Sequence, residues 1–523
     1  LSPNLPQSSV YQKSLISSMR LLCRTWLTSK LQTTPQVLRR QYTGMAGPPR
    51  KEGDISSVFV SLSGVAPTPL PHRFIDLKKE LTEGHEEALT ASWGRLLKAI
   101  DAEVKHIFSR GSSVIPSIEF SELDKNPAEF RAELRKRGAG VVRNVVPSKE
   151  ARAYKDEIEA YVKANPSTKG FPKDDPCVFE LYWSPAQVKA RAHPNLLQAQ
   201  SLLMNTWHSK KDSKAPISIT TPLSYADRVR IRQPGDTGFA LGPHIDGGSV
   251  ERWEKNGYGK SGVYDTIFAG DWESYDPWES SCRLEAVTDL YQGAGACTMF
   301  RMFQGWLSMS NTKPGEGTLQ VNPMIKLTTA YTLLRPFFRA ITPFETDVSG
   351  APSQKYLDAS NWAFEPAYNS EIQGAALGNS QELNTELHPH LHLSQSMVHV
   401  PEINPGDYVV WHCDNIHAVD KVHAGKSDSS VLYIPCCPLT EKNAEYLELQ
   451  RTAFLTGTPG PDFPGGIGES EHVGRPKVAD LSKGSERIGL QAMGLECFDV
   501  PEGASVGERK VFRRANEILG FNV

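Results

Sequence analysis

Cysteine is sparse in this chain, with eight residues in 523, at positions 23, 177, 282, 297, 413, 436, 437 and 497, and no C-x-x-C pair among them. That spacing excludes a disulfide-stapled miniature fold and a cysteine-built zinc ribbon, and it suits a reducing compartment. Long apolar runs are missing as well: no stretch reaches the roughly eighteen residues that a membrane-crossing helix needs. Nor is there an excess of one charge, because 57 Lys and Arg against 60 Asp and Glu give a formal net charge of −3. Nothing in that balance calls for nucleic acid or a membrane surface as partner. What remains is an ordinary globular chain, expected in the cytoplasm and long enough for one large domain with additions.

A local absence qualifies the address. Residues 1–50 contain no Asp or Glu but hold Lys13, Arg20, Arg24, Lys30, Arg39, Arg40 and Arg50 among many Ser and Thr. This is the make-up of a mitochondrial transit peptide, with Leu15, Ile16, Met19, Leu22 and Trp26 at amphipathic spacing. A disordered or non-native leader is the other reading, since the chain opens on Leu1 and Met19 or Met45 could mark a start. Residues 51–71 are rich in Gly, Ser and Pro and read as a linker.

Residues 72–165 are expected to form N-terminal helices packed on a core. Ile75, Leu77, Leu81, Leu89, Trp93, Leu96, Leu97, Ile100, Val104 and Ile107 recur mostly at three or four residues. Gly138 to Pro147 reads as a strand, and Ser148 as the cap of a helix over Lys149–Ala164. The alternation Arg228, Arg230, Arg232 predicts a strand with one basic face, either a solvated edge or a clamp for a carboxylate. Residues 250–290, rich in Gly, Tyr, Trp and Asp without a period, read as an insertion beside the core. The apolar run Cys297–Ser310 and the run Thr318–Pro323, separated by a Gly/Pro turn, predict a hairpin. The core is expected over 166–440, and 441–523 is expected to form a helical and loop extension.

Chemistry concentrates in Gly242-Pro243-His244-Ile245-Asp246-Gly247-Gly248. Side chains alternate along a strand, so His244 and Asp246 face one side and can share a metal ion. A third ligand from a distant strand would complete two His and one carboxylate, the ligand set of non-haem iron(II) oxygenases. The candidate partner stretch is Gly406-Asp407-Tyr408-Val409-Val410-Trp411-His412-Cys413-Asp414-Asn415-Ile416-His417.

In element order, and in the pieces Trp306-Leu307-Ser308, Gly315-Glu316-Gly317-Thr318-Leu319 and Pro405-Gly406-Asp407, the chain resembles iron(II)/2-oxoglutarate dioxygenases of the phytanoyl-CoA dioxygenase-like branch. More closely, Arg230-Ile231-Arg232, Pro234-Gly235-Asp236, His244 to Gly248, Arg252-Trp253 and Trp411 to His417 resemble the family called domain of unknown function 1479. The resemblance spans about residues 70–500. It implies an α+β fold with a double-stranded β-helix, a jelly-roll or cupin-like core, flanked by helices. It also implies His244, Asp246 and His417 as ligands to Fe(II), with His412 as competitor for the third place. The implied co-substrates are 2-oxoglutarate and O2, and the implied reaction is oxidative decarboxylation to succinate coupled to oxidation of an unknown small molecule. Arg252, Trp253 and Trp306 are candidates for the substrate pocket.

One departure stands out. The wider superfamily places an Arg or Lys on the last core strand to hold the far carboxylate of 2-oxoglutarate, but here that strand, Ser427 to Tyr433, has neither. Arg230, Arg232, Lys426 and Ser430 are the substitutes. The rival classes are therefore a cupin-like metalloenzyme without 2-oxoglutarate and a non-catalytic binding relative. Two letter matches fail on context. Gly257 to Gly262 spells G-x-G-x-x-G after a charged run rather than a buried strand, and Gly503 to Gly507 spells G-x-S-x-G with no His after it.

Overall fold

The computed structural model describes residues 58–63, 68–125, 127–210, 214–293, 297–463, 465–484 and 486–522. The leader expected over 1–50 and most of the linker expected over 51–71 lie outside the described residues.

Helices α1 (Arg73–Thr82) and α2 (Glu86–Arg110) form where the three-and-four periodicity begins. In α2, Leu89, Trp93, Leu96, Leu97, Ile100, Val104 and Ile107 are all buried, one continuous apolar stripe. Gly111 stops the helix with φ of +52°, a conformation that favours glycine. Strand β1 (Ser117–Glu119) and helix α3 (Ala128–Arg137) lead to β2 (Ala139–Arg143) and helix α4 (Ser148–Ala164). Ser148 is the first residue of α4 rather than its cap: Pro147 holds the cap position, and no side chain bonds to the free N–H groups.

Next come β3 (Gly170–Phe171), β4 (Val178–Phe179) and helix α5 (Pro194–Met204). Then follow β5 (Val229–Arg232), β6 (Leu241–Ile245), β7 (Phe303–Ser308), β8 (Leu319–Val321) and helix α6 (Ile325–Leu334). Strands β9 (Gln381–Glu382), β10 (Val398–His399), β11 (Tyr408–His412), β12 (His417–Val419) and β13 (Ser429–Tyr433) complete the two main sheets. An eight-stranded sheet has the order β1-β2-β11-β7-β13-β5-β4-β3, and a five-stranded sheet the order β9-β6-β12-β8-β10. The molecule is thus α+β with several sheets. From β5 to β8, and again from β11 to β13, each successive strand lies in the other main sheet.

That alternation overturns the hairpin expected from Cys297–Ser310 and Thr318–Pro323. β7 is paired on both sides, with β11 and β13, and so has no edge left for β8. The intervening turn carries the chain to the smaller sheet, where β8 pairs with β12 and β10. The basic face expected on β5 is not solvated either, because all four residues of the strand are buried.

The Pro405-Gly406-Asp407 turn is explained by packing. Gly406 has φ of +92°, and a Cβ there would lie 2.0 Å from the Val146 carbonyl. Asp407 is buried and accepts from Arg143 Nη1 at 2.7 Å and from the Asn144 and Asn404 N–H groups at 3.0 and 2.9 Å. These bonds tie the start of β11 to its neighbour β2. Trp93 of α2 stacks on Phe338 at 4.4 Å between ring centroids, anchoring the N-terminal helices against the elements after α6. Helices α7 (Glu441–Thr456) and α8 (Val506–Ile518) pack together over the strand pair Ile217–Leu223 and Cys437–Thr440. Ser505 of the G-x-S-x-G match is the cap of α8, in a reciprocal box with Glu508. Among the described residues, no helix is long and apolar enough to cross a membrane.

Candidate metal centre

Strand β6 ends at Ile245 and Asp246 follows at once, its carboxylate on the same side as the His244 ring. Strand β12 runs antiparallel to β6 with His417 directly opposite His244. One ligand atom from each of His244, Asp246 and His417 lies within 4.8 Å of the others. His244 Nε2 is 3.7 Å from Asp246 Oδ1, and His417 Nε2 is 3.4 Å from Asp246 Oδ2.

What orients the rings is backbone. His244 Nδ1 lies 2.7 Å from the Gly242 carbonyl and His417 Nδ1 lies 3.1 Å from the Asn415 carbonyl. A carbonyl only accepts, so each Nδ1 carries the proton and each Nε2 presents a bare lone pair. This is the outer-shell arrangement that prepares histidines as metal ligands. Burial and the charge of His417 push the His244 imidazole down to about 4, which keeps it neutral. Burial raises the Asp246 carboxyl, yet beside the two imidazoles it stays well below the usual carboxylate range and is ionised.

After Asp246 the chain must turn away sharply. Gly247 and Gly248 do so with φ of +76° and +89°, and a Cβ on Gly248 would lie 2.5 Å from the Thr288 carbonyl. Arg252 locks the turn by donating to the Asp246 and Gly248 carbonyls, each at 2.7 Å. Ser380 Oγ donates to Asp246 Oδ1 at 3.2 Å.

His412 is excluded by the same test. Its Nε2 lies 2.9 Å from the Pro277 carbonyl, and its Nδ1 accepts from the Asp414 N–H at 3.0 Å. Both nitrogens are occupied. His412, Cys413 and Asp414 do cluster, but Asp414 is ion-paired to Arg283 at 2.6 Å. His390 is held between the Tyr331 hydroxyl and the Leu357 carbonyl.

The triad opens on a cavity of about 120 Å³ between the two main sheets. Its floor is one face of the larger sheet, contributed in strand order by Arg228 just before β5 and Arg230 within it, Tyr433 of β13, Gln304 and Trp306 of β7, and Trp411 of β11. Leu241, Leu319 and Val419 line it from the smaller sheet. Val58 and Phe59 add a wall, with Phe59 set edge-on to His244 at 4.7 Å between centroids.

Of the residues singled out for the co-substrate, Arg230 lines the cavity. It is 3% exposed and its Nε finds no acceptor. Arg232, on the same face, does not reach the cavity: it is ion-paired to Asp236 at 2.5 Å and donates to the Asp420 carbonyl at 2.9 Å. Ser430 Oγ donates to Asp428, and Lys426 is exposed on the surface. Of the pocket candidates, Trp306 lines the cavity. Trp253 is core, donating to the Leu333 carbonyl at 3.0 Å. Arg252 acts on the turn as described.

Arg301 and Gln304 also line the cavity, although neither stands out in the sequence. They sit in and beside a run that reads as apolar strand. Their signal was there all the same: a charged and an amide side chain in a segment with no solvated face need a polar space to point into.

Comparison with known proteins gives the following. The profile of the Gig2-like family matches residues 68–495. The uncharacterized protein YbiU of Escherichia coli K12 is 30% identical over 403 residues, 74% of this chain and 88% of YbiU. The crystal structure of GlcNAc Inducible Gene 2, GIG2 (DUF1479), from Candida albicans aligns with a TM-score of 0.75 at 32% identity, over 88% of this chain and 98% of that one. The hypothetical protein JW0805 of Escherichia coli aligns with a TM-score of 0.68 at 29% identity, over 82% of this chain and 99% of that one.

Proposed function

The chain belongs to the Gig2-like family, and from the chemistry of its triad and cavity we propose that it is a non-haem iron(II) oxygenase that uses 2-oxoglutarate to oxidise a small molecule. The observation that carries the reading is the pairing of two bare Nε2 atoms and a carboxylate with a buried guanidinium whose Nε has no acceptor, in one cavity. The alternation of β5–β8 and β11–β13 between two facing sheets supports a double-stranded β-helix core.

The missing basic residue on the last strand has a local answer. Arg230 on β5 is the direct cross-strand partner of Val431 on β13. Cross-strand partners project to the same face about 5 Å apart. The anchor is therefore moved one strand sideways and still reaches the same space.

Iron(II) held with 2-oxoglutarate at this site would supply O2 activation, coupling decarboxylation of the 2-oxo acid to oxidation of a second substrate. The chain's own residues do the rest. His244 and His417 offer Nε2 and Asp246 offers a carboxylate oxygen, leaving the remaining positions on the cavity side for small ligands. Arg230 binds the far carboxylate through its fork. Trp306, Leu319, Val419 and Phe59 keep water away from the reacting groups.

A second reading, a metalloenzyme of the same fold that works without 2-oxoglutarate, is favoured by one fact: β13 carries no basic residue and Ser430 is engaged by Asp428. Anaerobic Fe(II) titration separates the two. The first reading expects a metal-to-ligand charge-transfer band when 2-oxoglutarate is added, lost in Arg230→Gln. Iron bound without that band in the wild-type protein sinks it in favour of the second.

A further inference from the structure

Arg230 accounts for one cationic group of the cavity and leaves another without a task. Arg301 lines the cavity, is only partly exposed, and makes no hydrogen bond or ion pair with any described residue. The charges of Asp246 and Asp227 act on it from nearby. Neither carboxylate is available to it as a dedicated partner. Asp246 belongs to the triad, and Asp227 Oδ1 accepts from both the backbone N–H and the Nε of Arg228, at 2.7 and 3.1 Å.

The charges of the cavity do not balance. Arg228, Arg230 and Arg301 face Asp227 and Asp246, an excess of one positive charge. A divalent ion adds two and a dianionic 2-oxo acid removes two, so the excess persists with metal and co-substrate in place. An uncompensated buried charge is costly, and sites built this way are completed by the ligand. Two further donors point the same way. Gln304 Nε2 and Trp411 Nε1 find no acceptor, each residue is 5% exposed, and the two are cross-strand partners on the cavity floor. Arg301 is also the one residue that the metal cavity shares with a second pocket, of about 50 Å³, walled by Leu284, Met299, Phe300 and Cys413.

We propose that Arg301 binds the carboxylate of the substrate, so that the enzyme acts on a small monocarboxylic acid whose oxygens are also met by the N–H groups of Gln304 and Trp411. A single negative charge distinguishes a carboxylate from a phosphate monoester, which would overshoot the balance. This assignment rests on the iron(II)/2-oxoglutarate reading, because the charge balance includes both.

The test uses the full chain and a series of straight-chain acids from propionate to octanoate plus benzoate, each beside its neutral amide. Binding is read by calorimetry on Zn(II)-loaded protein with 2-oxoglutarate, and by perturbation of the charge-transfer band in the anaerobic Fe(II) form. The expected result is that acids bind tighter than their amides by about ten- to a hundredfold, as charge-assisted hydrogen bonds require. That margin should vanish in Arg301→Gln and partly return in Arg301→Lys, while the 2-oxoglutarate band persists in Arg301→Gln and is lost in Arg230→Gln. Equal binding of every acid and its amide would overturn the proposal. So would loss of the 2-oxoglutarate band in Arg301→Gln with its retention in Arg230→Gln, since Arg301 would then be the co-substrate anchor. If the wild-type protein shows no 2-oxoglutarate band but its acid-over-amide margin still depends on Arg301, the co-substrate reading fails and the carboxylate site stands.

Discussion

Two clusters of ligand-type side chains lie within a short reach of chain, and they have opposite characters. His244, Asp246 and His417 form one, and His412, Cys413 and Asp414 form the other, each with its donor atoms within 4.8 Å of one another. Burial and the closeness of the donor atoms do not separate them. What separates them is where the second nitrogen goes. In the first cluster both Nδ1 atoms meet backbone carbonyls and both Nε2 atoms are left bare toward a cavity. In the second, His412 is bonded at both nitrogens and stacked on Trp207 at 4.7 Å, and Asp414 neutralises Arg283. One cluster holds its ligand atoms in reserve, and the other uses them to join the 250–290 segment to the end of β11.

Breaking each cluster should therefore fail in a different way. The largest effect is expected on metal binding: His244→Ala or His417→Ala should weaken Fe(II) affinity in anaerobic titration by more than about a hundredfold, beyond the usual cost of disturbing an outer-shell partner. His412→Ala should leave that affinity within a few-fold. Denaturant unfolding of the metal-free protein should show the reverse. Asp414→Ala strands the buried Arg283 charge and should cost about 3–5 kcal/mol. Asp246→Ala should stay within about 1 kcal/mol, because its side chain is 24% exposed and water can replace it.

The pH response sharpens the contrast further. Burial pushes His412 down to about 4, opposed by the charge of Asp414 and aided by Arg283. The unfolded chain, with an ordinary imidazole, binds the proton first as pH falls below about 6.5, so stability rises with pH across that window. The wild-type protein should lose a few kcal/mol from this group between pH 6.5 and about 4, and His412→Gln should flatten the slope by about one proton. An intermediate effect is expected at Arg252, which donates to the Asp246 carbonyl and lies 3.7 Å from Asp414, so that it touches both clusters. Arg252→Gln should loosen the turn behind Asp246 and weaken Fe(II) affinity about tenfold.

The sequence told more about faces than about sheets. Two-residue alternation is enough to place His244 and Asp246 together, and the α2 stripe is plain from residue chemistry. Alternation says nothing about which sheet a strand joins, and the hairpin over β7 and β8 failed for that reason. It also cannot say how deep a face lies. Arg228, Arg230 and Arg232 share a face, yet Arg230 opens on the cavity and Arg232 is absorbed by Asp236, a contact set by the turn after β5. His412 against His417 could not be decided from spacing, because the decision rests on hydrogen bonds to Pro277 and Asn415 that only the folded backbone supplies. Arg301 escaped notice because a lone charge before an apolar strand looks like a boundary until the cavity beside it is seen.

The wall formed by Val58 and Phe59 bears on how the protein should be handled at the bench. The family match begins at residue 68, ten residues beyond that wall. The same segment is fastened to the strand next to β6: Val58 accepts from the Ser380 N–H at 3.1 Å, and the Ser61 N–H donates to Glu382 at 3.0 Å. A recombinant domain cut at the family boundary would keep every metal ligand and still lose the ring that covers His244. On the iron(II)-oxygenase reading, such a domain would bind iron normally while water and self-oxidation reach the oxidant before any substrate does.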